Sequence, residues 1–379
     1  MNWLAWRMLT GDTPKYVSLV LSIAFATLLM AQQLSIFMGI VSRSASQIVD
    51  VRDAEIWVMD PLVRQIDEAP GLPSGDLQRV RSVSGVSWAV KFHKSQAQAR
   101  LANGGFRSVS LVGIDDASLV GAPRIMLAGD FADLTRQAAV IVDKAGYEYM
   151  WPGEPYKIPR TFQINDHRVV LVGVCKASPP FVTLPVLYTR YSTAENFSPG
   201  QRSMLTFILA HPQDGQTAEE VCLAIKEQTG LLAITRNQFF WKTVFYFLSS
   251  TGIPVNFGIT ISLGFFVGAA IAGQTFYLFT LENLKQFGTL KAMGVTNLRL
   301  IGMIMLQAIT VGAMGYGLGM GMTAIFFTYT NRITHLAGIH MPWLVALLVG
   351  MAVILIVLIT SVVSLRKVLV LEPAVVFRG

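Results

Sequence analysis

The sequence predicts an α-helical membrane protein with four transmembrane helices and a large extracytoplasmic α+β domain inserted between helices 1 and 2. Three observations predict it. Only 14% of the 379 residues are charged while 53% are hydrophobic, and an ordinary soluble domain carries about 25% charged residues. Four stretches are free of charge and long enough to span a bilayer. The segment between the first two has a different texture, with charges, prolines, glycines and short alternating runs.

No charge falls between Lys15 and Arg43. The apolar run 17–41 is transmembrane helix 1, since a span needs roughly 20 residues. A cleaved signal peptide competes, with Ser44, Ala45 and Ser46 as small residues near its end, but its apolar core would be only about 7–15 residues long. Segment 242–281 is read as a stalk followed by transmembrane helix 2. Its first part (Ser249, Ser250, Thr251, Gly252, Pro254) is polar and rich in helix breakers, so the membrane portion is placed at 257–281. Helix 3 is placed at 300–331 and helix 4 at 341–365, with a short link at 332–340.

Basic residues set the orientation. Arg7 and Lys15 lie in segment 1–16, Lys285, Lys291 and Arg299 in the link 282–299, and Arg366, Lys367 and Arg378 in the tail 366–379. Four spans bring these three pieces to one side, which is then the cytoplasm, with both termini inside. The net charge of +7 is accounted for by this topology, and no nucleic-acid partner is expected. Segment 1–16, with Trp3, Leu4, Trp6, Met8 and Leu9 around Arg7, reads as an amphipathic helix on the membrane lipid or against a cytoplasmic partner.

The domain at 42–241 mixes strands and helices. Arg107–Ile114 alternates as a half-buried strand does, with Val109 and Leu111 on one face. Runs 138–142, 168–174, 186–191 and 204–210 are further strands. Thr217 to Glu220 is a capping box opening a helix that stops at Gly230. Residues 76–83 carry Leu77, Val80 and Val83 on one helical face. Cys175 and Cys222 both fall in this domain. An oxidising compartment permits a disulfide between them, and two buried free thiols fit equally well.

No catalytic constellation stands out. The sequence has no phosphate-cradling G-x-x-x-x-G-K-[ST] loop and no H-E-x-x-H or G-x-S-x-G motif. The histidines (His93, His167, His211, His335, His340) are scattered without metal spacing. No charged residue lies inside a span, which argues against an ion-coupled transporter. Neither a catalytic activity nor a bound cofactor is therefore expected of the chain itself. Gly264/Gly268 in helix 2 and Gly315/Gly319 and Gly317/Gly321 in helix 3 fit small-xxx-small spacing, for packing within the chain or for a dimer.

The link 282–294 is the most informative segment. Leu284, Phe287 and Leu290 recur every three residues, Lys285 and Lys291 flank them, and Gly294 is suited to closing the helix. Such an amphipathic helix fits a groove on a soluble partner or the lipid surface.

Residues 282–294 (E-N-L-K-Q-F-G-T-L-K-A-M-G) resemble the cytoplasmic signature of MacB/FtsX-type ABC transporter permeases. The tail from Leu365 to Arg378, with Pro373, is similar to that family's closing motif, and Asp53–Asp60 resembles the DevC-like branch of glycolipid exporters. The resemblance covers the whole layout of one span, an outer domain and three spans. It implies that Glu282, Leu284, Lys285, Phe287, Gly288, Leu290, Lys291 and Gly294 meet a separate ABC ATPase subunit, which binds the ATP. It also implies a second permease copy, a periplasmic membrane-fusion adaptor and a TolC-like outer-membrane channel. MacB carries its ATPase in the same chain, whereas here sixteen residues precede span one, so a partner ATPase is expected. An FtsX-like activator of a periplasmic hydrolase and a LolC/LolE-like lipoprotein-extraction permease are the alternatives.

Overall fold

The computed structural model describes residues 2–68, 70–178, 180, 184–197, 204–331 and 340–370. The chain divides into two compact units, Ile40–Thr251 and the remainder, Met1–Gly39 with Gly252–Gly379.

The second of these contains α1 (Asn2–Gly11), most of α2 (Thr13–Ser44), α9 (Ile253–Glu282), α10 (Leu284–Ala292), α11 (Asn297–Thr330) and α12 (Trp343–Val370). Helices α2, α9, α11 and α12 are the four described helices long and apolar enough to cross a membrane. The second begins at Ile253, four residues before the expected membrane entry. Pro254 sits in its first turn, where a missing N–H is no loss. The expected link 332–340 lies outside the described residues apart from His340. The tail motif from Leu365 to Arg378 begins within α12, and its part after Val370 lies outside the described residues.

Glycines on α9 and α11 seat against α2. A Cβ at Gly268 would fall 2.3 Å from Ala26 Cβ, and one at Gly264 3.4 Å from Met30 Cγ. A Cβ at Gly315 would meet Ile23 Cβ at 2.7 Å, and one at Gly319 the Ala24 carbonyl at 2.5 Å. Both pairs therefore serve close packing within the chain. Gly317 and Gly321 have nothing within 4 Å.

Unit Ile40–Thr251 is built on a mixed sheet ordered β12 (Leu232–Thr235), β1 (Ile56–Met59), β11 (Phe207–Pro212), β3 (Val86–Arg100), β4 (Phe106–Ile114), β9 (Val186–Arg190), β6 (Ala139–Asp143), β8 (His167–Lys176) and β5 (Ile125–Gly129). Strand β7 (Arg160–Ile164) pairs with β3 and β8. The long β3 joins two regions: Val86–Phe92 pairs with β11 and His93–Arg100 with β4. Alternation along β1 sends Ile56 and Val58 into one core and Trp57 and Met59 into another. The first core takes Leu77 and Val80 from α4 (Asp76–Arg81) and Val221 and Ile225 from α7 (Ala218–Thr229). The second takes Ile48 from α3 (Ser46–Asp50) and Phe239 from α8 (Arg236–Ser250). A third core collects Val109, Leu111, Tyr147 and Trp151.

Strand β4 is buried on both faces from Val109 onward, not half-buried. It runs between β3 and β9, with Val109 and Leu111 in the third core and Val112 and Ile114 in the second. The Thr217–Glu220 capping box forms, and Gly230 closes that helix at φ 74. Cys175 and Cys222 are free, buried and in different cores. Burial pushes the Cys222 thiol up to about 12; Cys175 is also raised, by burial and then by Asp143 and Asp50.

Candidate functional site

The 282–299 link is a helix held between two breaks. Asn283 ends α9, with its amide nitrogen donating to the Phe279 carbonyl at 2.8 Å. Helix α10 then runs to Ala292 and stops at Gly294, whose φ of 90 is the left-handed conformation that glycine adopts without cost. Gly294 N–H donates to the Lys291 carbonyl and Val295 N–H to the Leu290 carbonyl, both at 3.1 Å. These two hydrogen bonds together form the Schellman closure.

The apolar face of α10 turns inward. Phe287 is 1% exposed and Leu290 8%, and they share a core with Ala5, Met8 and Leu9 of α1 and Leu300, Met303 and Ile304 of α11. Leu284 packs against the same core, and Gly288 is buried. The apolar repeat expected to meet a partner groove or the lipid surface packs here against the chain's own α1 and α11.

Helix α1 is fixed by more than apolar contact. The buried Gln307 amide donates to the Ala5 carbonyl at 2.9 Å. Lys15 pairs with Asp12 at 2.6 Å and with Glu282, and hydrogen bonding to Lys15 holds the Asp12 carboxyl below its usual range. Glu282 is thus engaged by its own chain. Trp3 and Trp6 stay exposed, with the Arg7 guanidinium 5.5 Å from the Trp3 ring.

The outward surface of the link consists of other residues. Lys285, Gln286, Thr289 and Gly294 are exposed, and Lys291 is half-buried. Met293 and Leu298 are 68% and 78% exposed. Met293 caps α10 and Leu298 lies in the first turn of α11, on either side of the turn at Gly294 and outside the Leu284, Phe287, Leu290 repeat. Two large apolar side chains beside a tight turn were the available signal. Asp53–Asp60, the segment resembling the DevC-like branch, contributes β1, and Ile56–Met59 are all buried there. Among the described residues no cluster of His, Cys, Asp or Glu is arranged to hold a metal ion.

Residues 258–373 match the family described as FtsX-like permease C-terminal. No curated protein matches the chain. Among solved structures, the extracellular domain of the noncanonic ABC-type transporter YknZ from Gram-positive bacteria is similar over 48% of this chain and 98% of its own. Its identity is 14% and its TM-score 0.36. The periplasmic region of MacB from Actinobacillus actinomycetemcomitans is similar over 50% of this chain and 92% of its own, at 16% identity and TM-score 0.38. A domain of a putative permease protein from Porphyromonas gingivalis covers 48% and 86%, at 12% and TM-score 0.30. Helix α10 and the exposed turn after it lie inside the region that matches the FtsX-like permease C-terminal family.

Proposed function

We propose that the chain is the permease subunit of an ABC-type efflux transporter of the MacB/DevC kind. A separate ATPase subunit binds and hydrolyses ATP. The link 282–299 receives its movement, and the spans pass it to the domain at 40–251. The cargo is a lipid, a glycolipid or another amphipathic molecule. Two permease copies pair, and a periplasmic membrane-fusion adaptor and a TolC-like outer-membrane channel complete the path. The chain lies in a bacterial inner membrane with both termini cytoplasmic, in keeping with Arg7, Lys15, Lys285, Lys291, Arg299, Arg366 and Lys367 on one side.

The observation that carries this reading is the family match over 258–373, which contains the link with its exposed Lys285, Met293 and Leu298. ATPase contact is assigned to this outward surface, with Gly294 and the exposed Glu282, while Phe287, Gly288 and Leu290 shape it from behind.

Cysteine placed at Gln286 tests the topology. The native Cys175 and Cys222 are buried, so background labelling is low. The new thiol should resist a membrane-impermeant maleimide in intact cells and react after lysis. Reaction in intact cells would overturn the reading. Co-purification should recover an ATPase and an adaptor; recovery of a cell-wall hydrolase without an adaptor would replace export with signalling.

A further inference from the structure

Where β3 passes from β11 to β4, the outer domain holds a cavity of about 260 Å³. Lys94 opens into it, its side chain only 5% exposed. An ammonium has three N–H donors. Asp67 Oδ1 takes one, and no other acceptor among the described residues meets Lys94 Nζ. Ser110 lines the same cavity at 5% exposure, and its hydroxyl makes no hydrogen bond among the described residues. Pro180, Leu184 and Phe247 form the apolar part of the wall.

The two partners of the ion pair differ in freedom. The Asp67 side chain is 35% exposed, so its carboxylate can turn to water at little cost. Lys94 cannot, and a buried cation left without an anion is strongly destabilising. Burial already lowers the Lys94 pKa, with Asp67 opposing the shift. An incoming anion therefore finds a cation with open donors, a vacant hydroxyl donor beside it, and a displaceable competitor.

We propose that this cavity binds the headgroup of an anionic amphiphile, a carboxylate or phosphate monoester carrying an alkyl chain. An acid oxygen accepts from Lys94 Nζ and Ser110 Oγ in place of Asp67, and the first carbons lie against Pro180, Leu184 and Phe247. The cavity is close to the lower size of small-molecule sites, about 300 Å³, which suits a headgroup and the start of its chain. Neither ATP nor an ATPase is needed, so the site stands or falls apart from the export reading.

The test is calorimetric titration of the full chain in phosphatidylcholine nanodiscs with octyl phosphate, empty discs subtracted. Wild type should bind one equivalent saturably. Lys94→Met should weaken binding at least tenfold, and Asp67→Asn, which removes the competing carboxylate, should tighten it severalfold. Octyltrimethylammonium should not compete, and inorganic phosphate should compete far more weakly than octyl phosphate. Absent saturable binding, unchanged affinity in Lys94→Met, or equal affinity for the ammonium amphiphile or for inorganic phosphate would overturn the proposal. Should Lys94→Met or Asp67→Asn fail to fold, Ser110→Ala decides: it should weaken binding severalfold, and unchanged binding there overturns the proposal.

Discussion

The inward and outward faces of the α10–α11 region carry similar residue types in opposite environments. Phe287 and Leu290 are core, while Met293 and Leu298, a few residues on, face outward. Gly315 and Gly319 admit the backbone of α2, while Gly317 and Gly321, alternating with them, touch nothing within 4 Å. Residue type therefore does not separate buried from exposed positions in this region; position relative to α1 and α2 does.

Substitutions that treat the two faces alike should produce unlike effects. The largest is expected from Phe287→Asp, which places an unpaired carboxylate in the core and should cost about 4 kcal/mol or more. Thermal unfolding of the detergent-solubilised chain reads this directly. A near-wild-type transition would mean that Phe287 is not core. Next comes Gly319→Val, whose Cβ would overlap the Ala24 carbonyl and Thr27, at a cost of about 1–3 kcal/mol. Gly317→Val, with open space around it, should leave the transition nearly unmoved. Equal losses would erase the distinction between the glycine pairs.

The outward face should show the reverse pattern. The double change Met293→Asp and Leu298→Asp should leave stability within about 0.5 kcal/mol. It should lower stimulation of the partner ATPase at least tenfold, about 1.4 kcal/mol of coupling. Reconstituted ATPase assays in nanodiscs test this, and full stimulation would remove the contact from this surface. The smallest effect belongs to Glu282→Gln. The Lys15–Glu282 pair is partly exposed, at 34% and 54%, and such pairs contribute about 0–1 kcal/mol. A loss that shrinks in high salt is the expected signature.

Much of the architecture was readable from residue order. A charge-free run of sufficient length has few alternatives to a span, so the four long helices were plain in the sequence. The capping box at Thr217 and the stop at Gly230 were legible because both signals are local. A second capping box, with Thr235 and Gln238 opening α8, carried the same kind of signal and was overlooked. Strand β3 was not legible for a different reason. His93 and Lys94 are buried in mid-strand and break any alternating pattern. They are tolerated only because Ser95 and Thr206 meet the imidazole and Asp67 meets the ammonium, partners that sequence order alone does not bring together. At the candidate site, periodicity revealed the apolar face of α10 but not which surface would cover it. That depended on α1, whose Ala5, Met8 and Leu9 join the same core from the far end of the chain.

Strand β3 spans fifteen residues, Val86 to Arg100, without a glycine or proline. It is laced to β11 along its first half and to β4 and β7 along its second. A stiff member shared in this way acts as a beam. Main-chain bonds of this one strand connect the β11 side of the sheet with β4 and β7 directly, with no side-chain contact between. Lys94 stands beside the point where the strand changes partner from β11 to β4, so whatever neutralises its charge also sits where the two halves of the sheet meet.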